Sequence, residues 1–146
     1  MRSRTDRAAE RFLSGCNCAQ SVLWAWADTA GLDPEKALKI ACGFGAGIAR
    51  RQEICGAVAG GIMVIGLLYG RGEDHDRAAT DATYARTHEL IRRFEERHGT
   101  CQCRGILEGV DLATDEGRRA FRELDLLNRK CLPAVQSVVA ILEEIT

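Results

Sequence analysis

Charge of one sign is what this sequence conspicuously does without: 20 Lys and Arg stand against 21 Asp and Glu, for a net charge of −1. No Lys/Arg block forms the electrostatic footprint of a nucleic-acid binder, so that partner class is disfavoured. An apolar leader is missing too. Met1 to Arg7 reads Met-Arg-Ser-Arg-Thr-Asp-Arg and passes into an amphipathic segment, which argues against a signal peptide. The longest uncharged stretch, 54–70, is about 17 residues, at the lower limit for a membrane span. Gly56, Gly60, Gly61 and Gly66 interrupt it, so it reads as a buried helix and no span is expected. With neither export signal nor anchor, the expected compartment is the cytoplasm. Cys-x-x-Cys is absent, which removes a thioredoxin-type site, and without Cys-x-x-Cys-His no covalent c-type haem is expected. Ser/His/Asp hydrolase signatures, glycosidase carboxylate pairs, repeats, low-complexity segments and linkers are also lacking.

Cysteine, by contrast, is abundant: the chain has seven. Structural disulfides are uncommon in the cytoplasm, and an odd count cannot pair fully within one chain. The usage therefore leans toward catalysis, redox or metal binding. Cys18, Cys55, Cys103 and Cys131 all fall where helices are expected to start: after Asn17, after a Gly-rich stretch, after Gly99-Thr100 and shortly before Pro133. A helix N-terminus has unpaired N–H groups and partial positive charge, so it favours thiolate over thiol. Cys42, at the end of an apolar helical pattern, reads as a small buried hydrophobe.

Helix signals dominate the rest. The first helix is expected from about Thr5, as N-cap, to Leu13, with Gly15 ending it. The second spans Cys18 to Ala30, with Asn17 and Gln20 forming a capping box and Ala19, Val22, Leu23, Trp26 and Ala30 facing the core. Trp24 lies off that stripe, at an edge or a subunit interface. Asp33-Pro34-Glu35 opens a third helix running to about Cys42. Gly43-Phe44-Gly45-Ala46-Gly47 lacks the Gly-Lys-Ser/Thr of a P-loop and reads as a tight turn holding Cys55 near its partners. Residues 54–69 form a helix apolar on all sides, hence central. A long polar helix follows over 77–98, anchored by Leu90, Ile91 and Phe94. A short element from Thr100 to Leu107 comes next, then a helix opened by Asp115 with Phe121, Leu124 and Leu127. The last helix starts near Pro133 and buries Val135, Val138, Val139 and Leu142. One all-α domain, 1–146, of six or seven helices around a Gly-rich apolar helix is expected. That glycine-rich helix and Trp24 also leave room for a homodimer.

Cys55-Gly56-Ala57-Val58-Ala59-Gly60 reads Cys-Gly-Ala-x-x-Gly, with Cys18 upstream and Cys103 and Cys131 downstream. This ordered set resembles the C_GCAxxG_C_C family, named for four cysteines and that motif. Asn17-Cys18-Ala19-Gln20, the Gly-Phe-Gly-x-Gly run and Gly66-Leu67-Leu68-Tyr69-Gly70 support the resemblance, which covers nearly the whole chain. It implies a largely helical redox-active protein whose functional cysteines are Cys18, Cys55, Cys103 and Cys131. Cys16, Cys42 and Cys101 are extras.

Two mechanisms fit those four residues, and their spacing does not choose between them. In the leading one, two thiols cycle between dithiol and disulfide with a redox partner protein or a small disulfide. In the other, four thiolates hold an iron–sulfur cluster, making an electron carrier or sensor; zinc fits less well, because the ligands lack close pairing. A structural module with buried thiols is the third class. Arg50 and Arg51 would stabilise thiolates or an anionic ligand, or form a solvated face. His75, His88 and His98 show no ligand spacing, and His98 would complement the negative end of its helix.

Overall fold

Cap chemistry sets where the helices begin in the computed structural model, which describes residues 2–74 and 76–146. His75 lies outside the described residues. Helix α1 (Arg4–Leu13) is capped by Ser3, two residues ahead of the expected Thr5. The Ser3 hydroxyl accepts from the Asp6 amide at 3.0 Å, and the Asp6 carboxylate accepts from Ser3 N–H. Helix α2 (Cys18–Trp26) starts with the expected Asn17/Gln20 capping box, both bonds being 2.9 Å. It stops short of Ala30, because Leu32 N–H turns back to the Ala27 carbonyl. Helix α3 (Pro34–Ala41) has Asp33 as cap and Pro34 at its first position. Then follow α4 (Gly56–Tyr69), α5 (Arg77–His98) and the single turn α6 (Cys103–Ile106). Helix α7 (Asp115–Glu123) is capped by Thr114, and α8 (Leu132–Ile145) is entered through a π-helical turn, Leu127–Cys131. The all-α expectation holds, with eight helices among the described residues and no strand.

Helix α4 occupies the centre, as its all-round apolarity implied. Against α2 its backbone approaches so closely that a Cβ at Gly60 would lie 2.8 Å from the Ala19 carbonyl oxygen. On another face it meets Leu90 of α5 and Val138 of α8. Leu23, Val64, Ile65, Leu90, Phe94, Val135, Val138, Val139 and Leu142 are all buried there. Each such side chain contributes about 1.5–3 kcal/mol over its exposed state. A smaller cluster forms beside it from Cys103, Leu107, Leu112 and Leu126. Leu124, expected in the core, is half exposed instead. The reason is local: α7 ends at Glu123, and Asp125 at φ +52° re-aims the chain so that Leu126 turns inward.

Trp24 packs at the edge of α2 beneath two cations, with Arg11 4.0 Å and Arg7 5.2 Å from the ring centre. Among the described residues, no helix is long and apolar enough to cross a membrane.

Candidate functional site

Backbone pairing brings two distant cysteines together. Cys55 N–H donates to the Cys101 carbonyl and Cys103 N–H to the Glu53 carbonyl, each at 2.7 Å, around an isolated antiparallel bridge between Ile54 and Gln102. This clamp fixes Cys55 as the residue before α4 and Cys103 as the first residue of α6. Cys18 arrives from the other side, as the first residue of α2. Gly56 makes that approach possible: a Cβ there would lie 2.9 Å from the Phe44 carbonyl and 3.4 Å from Cys18 Cβ.

The Gly-rich run 43–47, expected as a tight turn, begins within a short 3-10 helix (Cys42–Phe44), and the turn itself lies further on, at 46–50. Ala46, Gly47, Ile48, Ala49 and Arg50 all have φ between +50° and +69°, a left-handed turn with one glycine among five residues. Such backbone costs an L-residue about 1–2 kcal/mol each. Its carbonyls are tied down in compensation. Gln52 N–H donates to Ala46 at 3.2 Å, and Glu53 N–H to Gly47 at 2.9 Å. Gln52 is itself buried; its side-chain amide donates to the Val110 carbonyl at 2.7 Å, and its oxygen accepts from Leu112 N–H at 2.8 Å. One glutamine thus holds the turn, the Cys55/Cys103 clamp and the 110–112 loop in register. In the sequence Gln52 lies within a polar interval and shows no periodic signal.

Cys18, Cys55, Cys103 and Cys131 line one cavity of about 200 Å³. The remaining walls are mainly apolar, including Phe12, Ile106, Leu112, Phe121 and Leu127, and Cys16 adds a fifth thiol. Cys101 contributes its carbonyl to the clamp but is not among the lining residues. Cys42, expected to be buried, is exposed. The inward stripe of α3 is Ala37 and Ala41, and the tight turn that follows carries Cys42 outward.

Helix starts do not activate these thiols as anticipated. Cys131 closes the π-helical turn and continues into α8, so it is not at a free helix N-terminus. Burial raises the pKa of all four. For Cys18, amides of Ala46, Cys18 and Ala57 offset part of that rise. Cys55 goes up strongly through burial and then repulsion from Cys18, opposed by amides of Val58 and Ala57. Cys103 is pushed up to about 12 by burial and Cys18. Cys131 also rises strongly, through burial and then through Cys18, Cys103 and Cys55. Desolvation outweighs the helix ends and favours the protonated thiol at each of the four.

The described cysteines are free. Among the described residues, no three His, Cys, Asp or Glu side chains converge as the ligands of a single metal ion must. His98 does not serve its helix end as a cation. Its ring stacks on Phe94 with centroids 4.4 Å apart, and its Nε2 pairs with Ser137 Oγ at 2.8 Å. Burial, then Arg97 and Lys130, hold its pKa down.

An "Uncharacterized protein" of Archaeoglobus fulgidus is 29% identical over 115 residues, covering 74% of this chain and 76% of that protein. No solved structure matches. The sequence profile described as "Putative redox-active protein (C_GCAxxG_C_C)" matches residues 16–145. That match takes in all seven cysteines and every wall of the cavity except Phe12, and the chain belongs to the C_GCAxxG_C_C family of putative redox-active proteins.

Proposed function

We propose that Cys18, Cys55, Cys103 and Cys131 hold an iron–sulfur cluster and that the protein transfers electrons through it. The observation that carries this reading is the cavity: four cysteines face a largely apolar space of about 200 Å³ whose thiols burial keeps protonated. A thiol with so high a pKa is a poor nucleophile near neutral pH, which weighs against disulfide exchange as the resting chemistry. Cys18, Cys55, Cys103 and Cys131 would give up their protons on binding iron, whose positive charge would offset the cost of burying thiolates. The lack of a convergent three-ligand group among the described residues disfavours a lone tetrahedral zinc, whose ligands must gather about one ion. Ligands spread around a cavity suit a polynuclear group better.

This chain's own contribution would be to bind and tune. The amides of Ala46, Ala57 and Val58 bond to the Cys18 and Cys55 sulfurs and favour their anionic forms. Hydrogen bonds of that kind raise a cluster's reduction potential by offsetting negative charge, and the apolar walls limit water.

A dithiol/disulfide cycle is the second reading. It is favoured by the influence of Cys18 on Cys55, Cys103 and Cys131, which puts one sulfur within electrostatic range of each of the other three. In it, two thiols would become one disulfide with release of two protons and two electrons to a redox partner. Purification without oxygen, followed by visible absorption and iron and acid-labile sulfide analysis, separates the two. The cluster reading expects colour, iron and sulfide that are lost in Cys55→Ser. A colourless protein that also fails reconstitution, yet oxidises two thiols reversibly in redox buffers, would overturn it in favour of the disulfide.

A further inference from the structure

Beside the cysteine cavity lies a second pocket of about 350 Å³, lined by Ala46, Arg50, Leu112, Arg118, Phe121 and Arg122. Three of these residues, Ala46, Leu112 and Phe121, are walls of both spaces. The pocket is within the size range of small-molecule sites. Three guanidiniums line it, and no carboxylate does. Arg50 projects from the left-handed turn, while Arg118 and Arg122 stand one helical turn apart on α7.

Their states of pairing differ. Arg118 is engaged, donating to the Leu112 carbonyl at 2.8 Å and forming an ion pair with Asp115. Arg50 and Arg122 have no side-chain hydrogen bond or ion pair among the described residues. Several arginines elsewhere are paired or stacked, such as Arg4 with Glu143, Arg51 with Glu53, Arg93 and Arg97 with Glu144, and Arg11 on Trp24. Arg77 and Arg119 share the unpaired state among the described residues but do not line this pocket. Two unpaired forks therefore line one pocket whose apolar wall is shared with the thiols.

Taken together these features lead us to infer that the Arg50/Arg118/Arg122 pocket binds a small organic carboxylate whose apolar body lies against Phe121 and Leu112. The planar forks of Arg50 and Arg122 match a carboxylate's two oxygens, a geometry that a lysine would not supply. Inorganic phosphate would engage the guanidiniums but leave the apolar wall uncovered. The ligand's body would then sit one side-chain layer from the cysteine cavity. Binding does not depend on the cluster reading; only a role for the ligand in redox chemistry would rest on it.

The test is titration calorimetry on the purified protein with 2-naphthoate as probe, its uncharged counterpart 2-naphthamide, and inorganic phosphate. Iron content is measured on the same samples, so failure of the cluster reading and failure of this one are read separately. Saturable 2-naphthoate binding is expected, with the amide and phosphate each at least about tenfold weaker, in keeping with loss of a charge-assisted bond. R50Q and R122Q should each weaken 2-naphthoate by about tenfold and the double variant should abolish it. Both sites are exposed and unpaired, so helicity by circular dichroism should be unchanged. Equal binding of the amide, or undiminished 2-naphthoate binding in the double variant, overturns the proposal. Retention on immobilised polyglutamate with no small-anion binding also overturns it, assigning the arginines to an acidic protein surface.

Discussion

A thiol in this site is governed by what surrounds it more than by where it lies on a helix. Cys18 and Cys103 open helices, yet burial raises both above the ordinary thiol range, and Cys18 adds to the rise at Cys103. The consequence for stability has a definite sign. An unfolded thiol ionises near pH 8.5, whereas folded Cys103 holds its proton up to about 12. Between those values the folded chain binds more protons than the unfolded chain. The stabilisation is therefore complete below about pH 8.5 and is lost as pH rises toward 12. For reduced, metal-free protein, the urea midpoint should hold steady from pH 7 to 8.5 and fall by pH 10.5. Cys103→Ser should flatten that fall. A wild-type midpoint that stays level or rises over the alkaline range would show that the thiols are not held neutral.

At the scale of elements, the segment that matters most is the least regular one. The left-handed turn at Ala46–Arg50 is not stable backbone in its own right; it is maintained by the bonds from Gln52 and Glu53. Gln52→Leu keeps the volume but removes two side-chain bonds and strands Val110 C=O and Leu112 N–H, each costing about 1–3 kcal/mol. We expect a destabilisation of about 2–4 kcal/mol, measured by denaturant unfolding, together with loss of cluster uptake. Loss of stability with unaltered uptake would mean that the turn does not position the site. By comparison, the surface network of Glu89, Arg92, Arg93 and Glu144 joins α5 to α8 but is solvent-exposed and contributes little.

For the whole molecule, the cavity's walls come from distant parts of the chain: Cys18 on α2, Cys55 ahead of α4, Cys103 on α6 and Cys131 before α8. A group bound by all four would link these elements, so it would bind the folded chain far better than the unfolded one. If the proposed cluster is bound, the iron-loaded protein should therefore melt well above the metal-free form, and an iron chelator should bring the midpoint down to the metal-free value. Identical midpoints for both forms, with iron content verified, would show that bound iron does not cross-link the fold.

Much of the architecture is decided locally and could be read directly. Asn17 with Gln20, Asp33 with Pro34, and the limits Arg77 and His98 follow from capping and periodicity, which need only a few neighbouring residues. The centrality of α4 follows from its composition, and the four cysteines were legible from their order around Cys-Gly-Ala-x-x-Gly. What depended on packing was not legible. Cys42 points outward, Leu124 gives way to Leu126, and His98 stacks within the protein instead of serving as a cation. Gln52 gave no signal, because its partners lie about 60 residues away in the chain. Arg50 was legible as a partner for an anion, but its meeting with Arg118 and Arg122 in one pocket was not. The protonation of the thiols was settled in the same way. Helix position is a local property and favours the thiolate, whereas desolvation arises only when distant apolar walls close around the sulfur, and here desolvation is the larger effect.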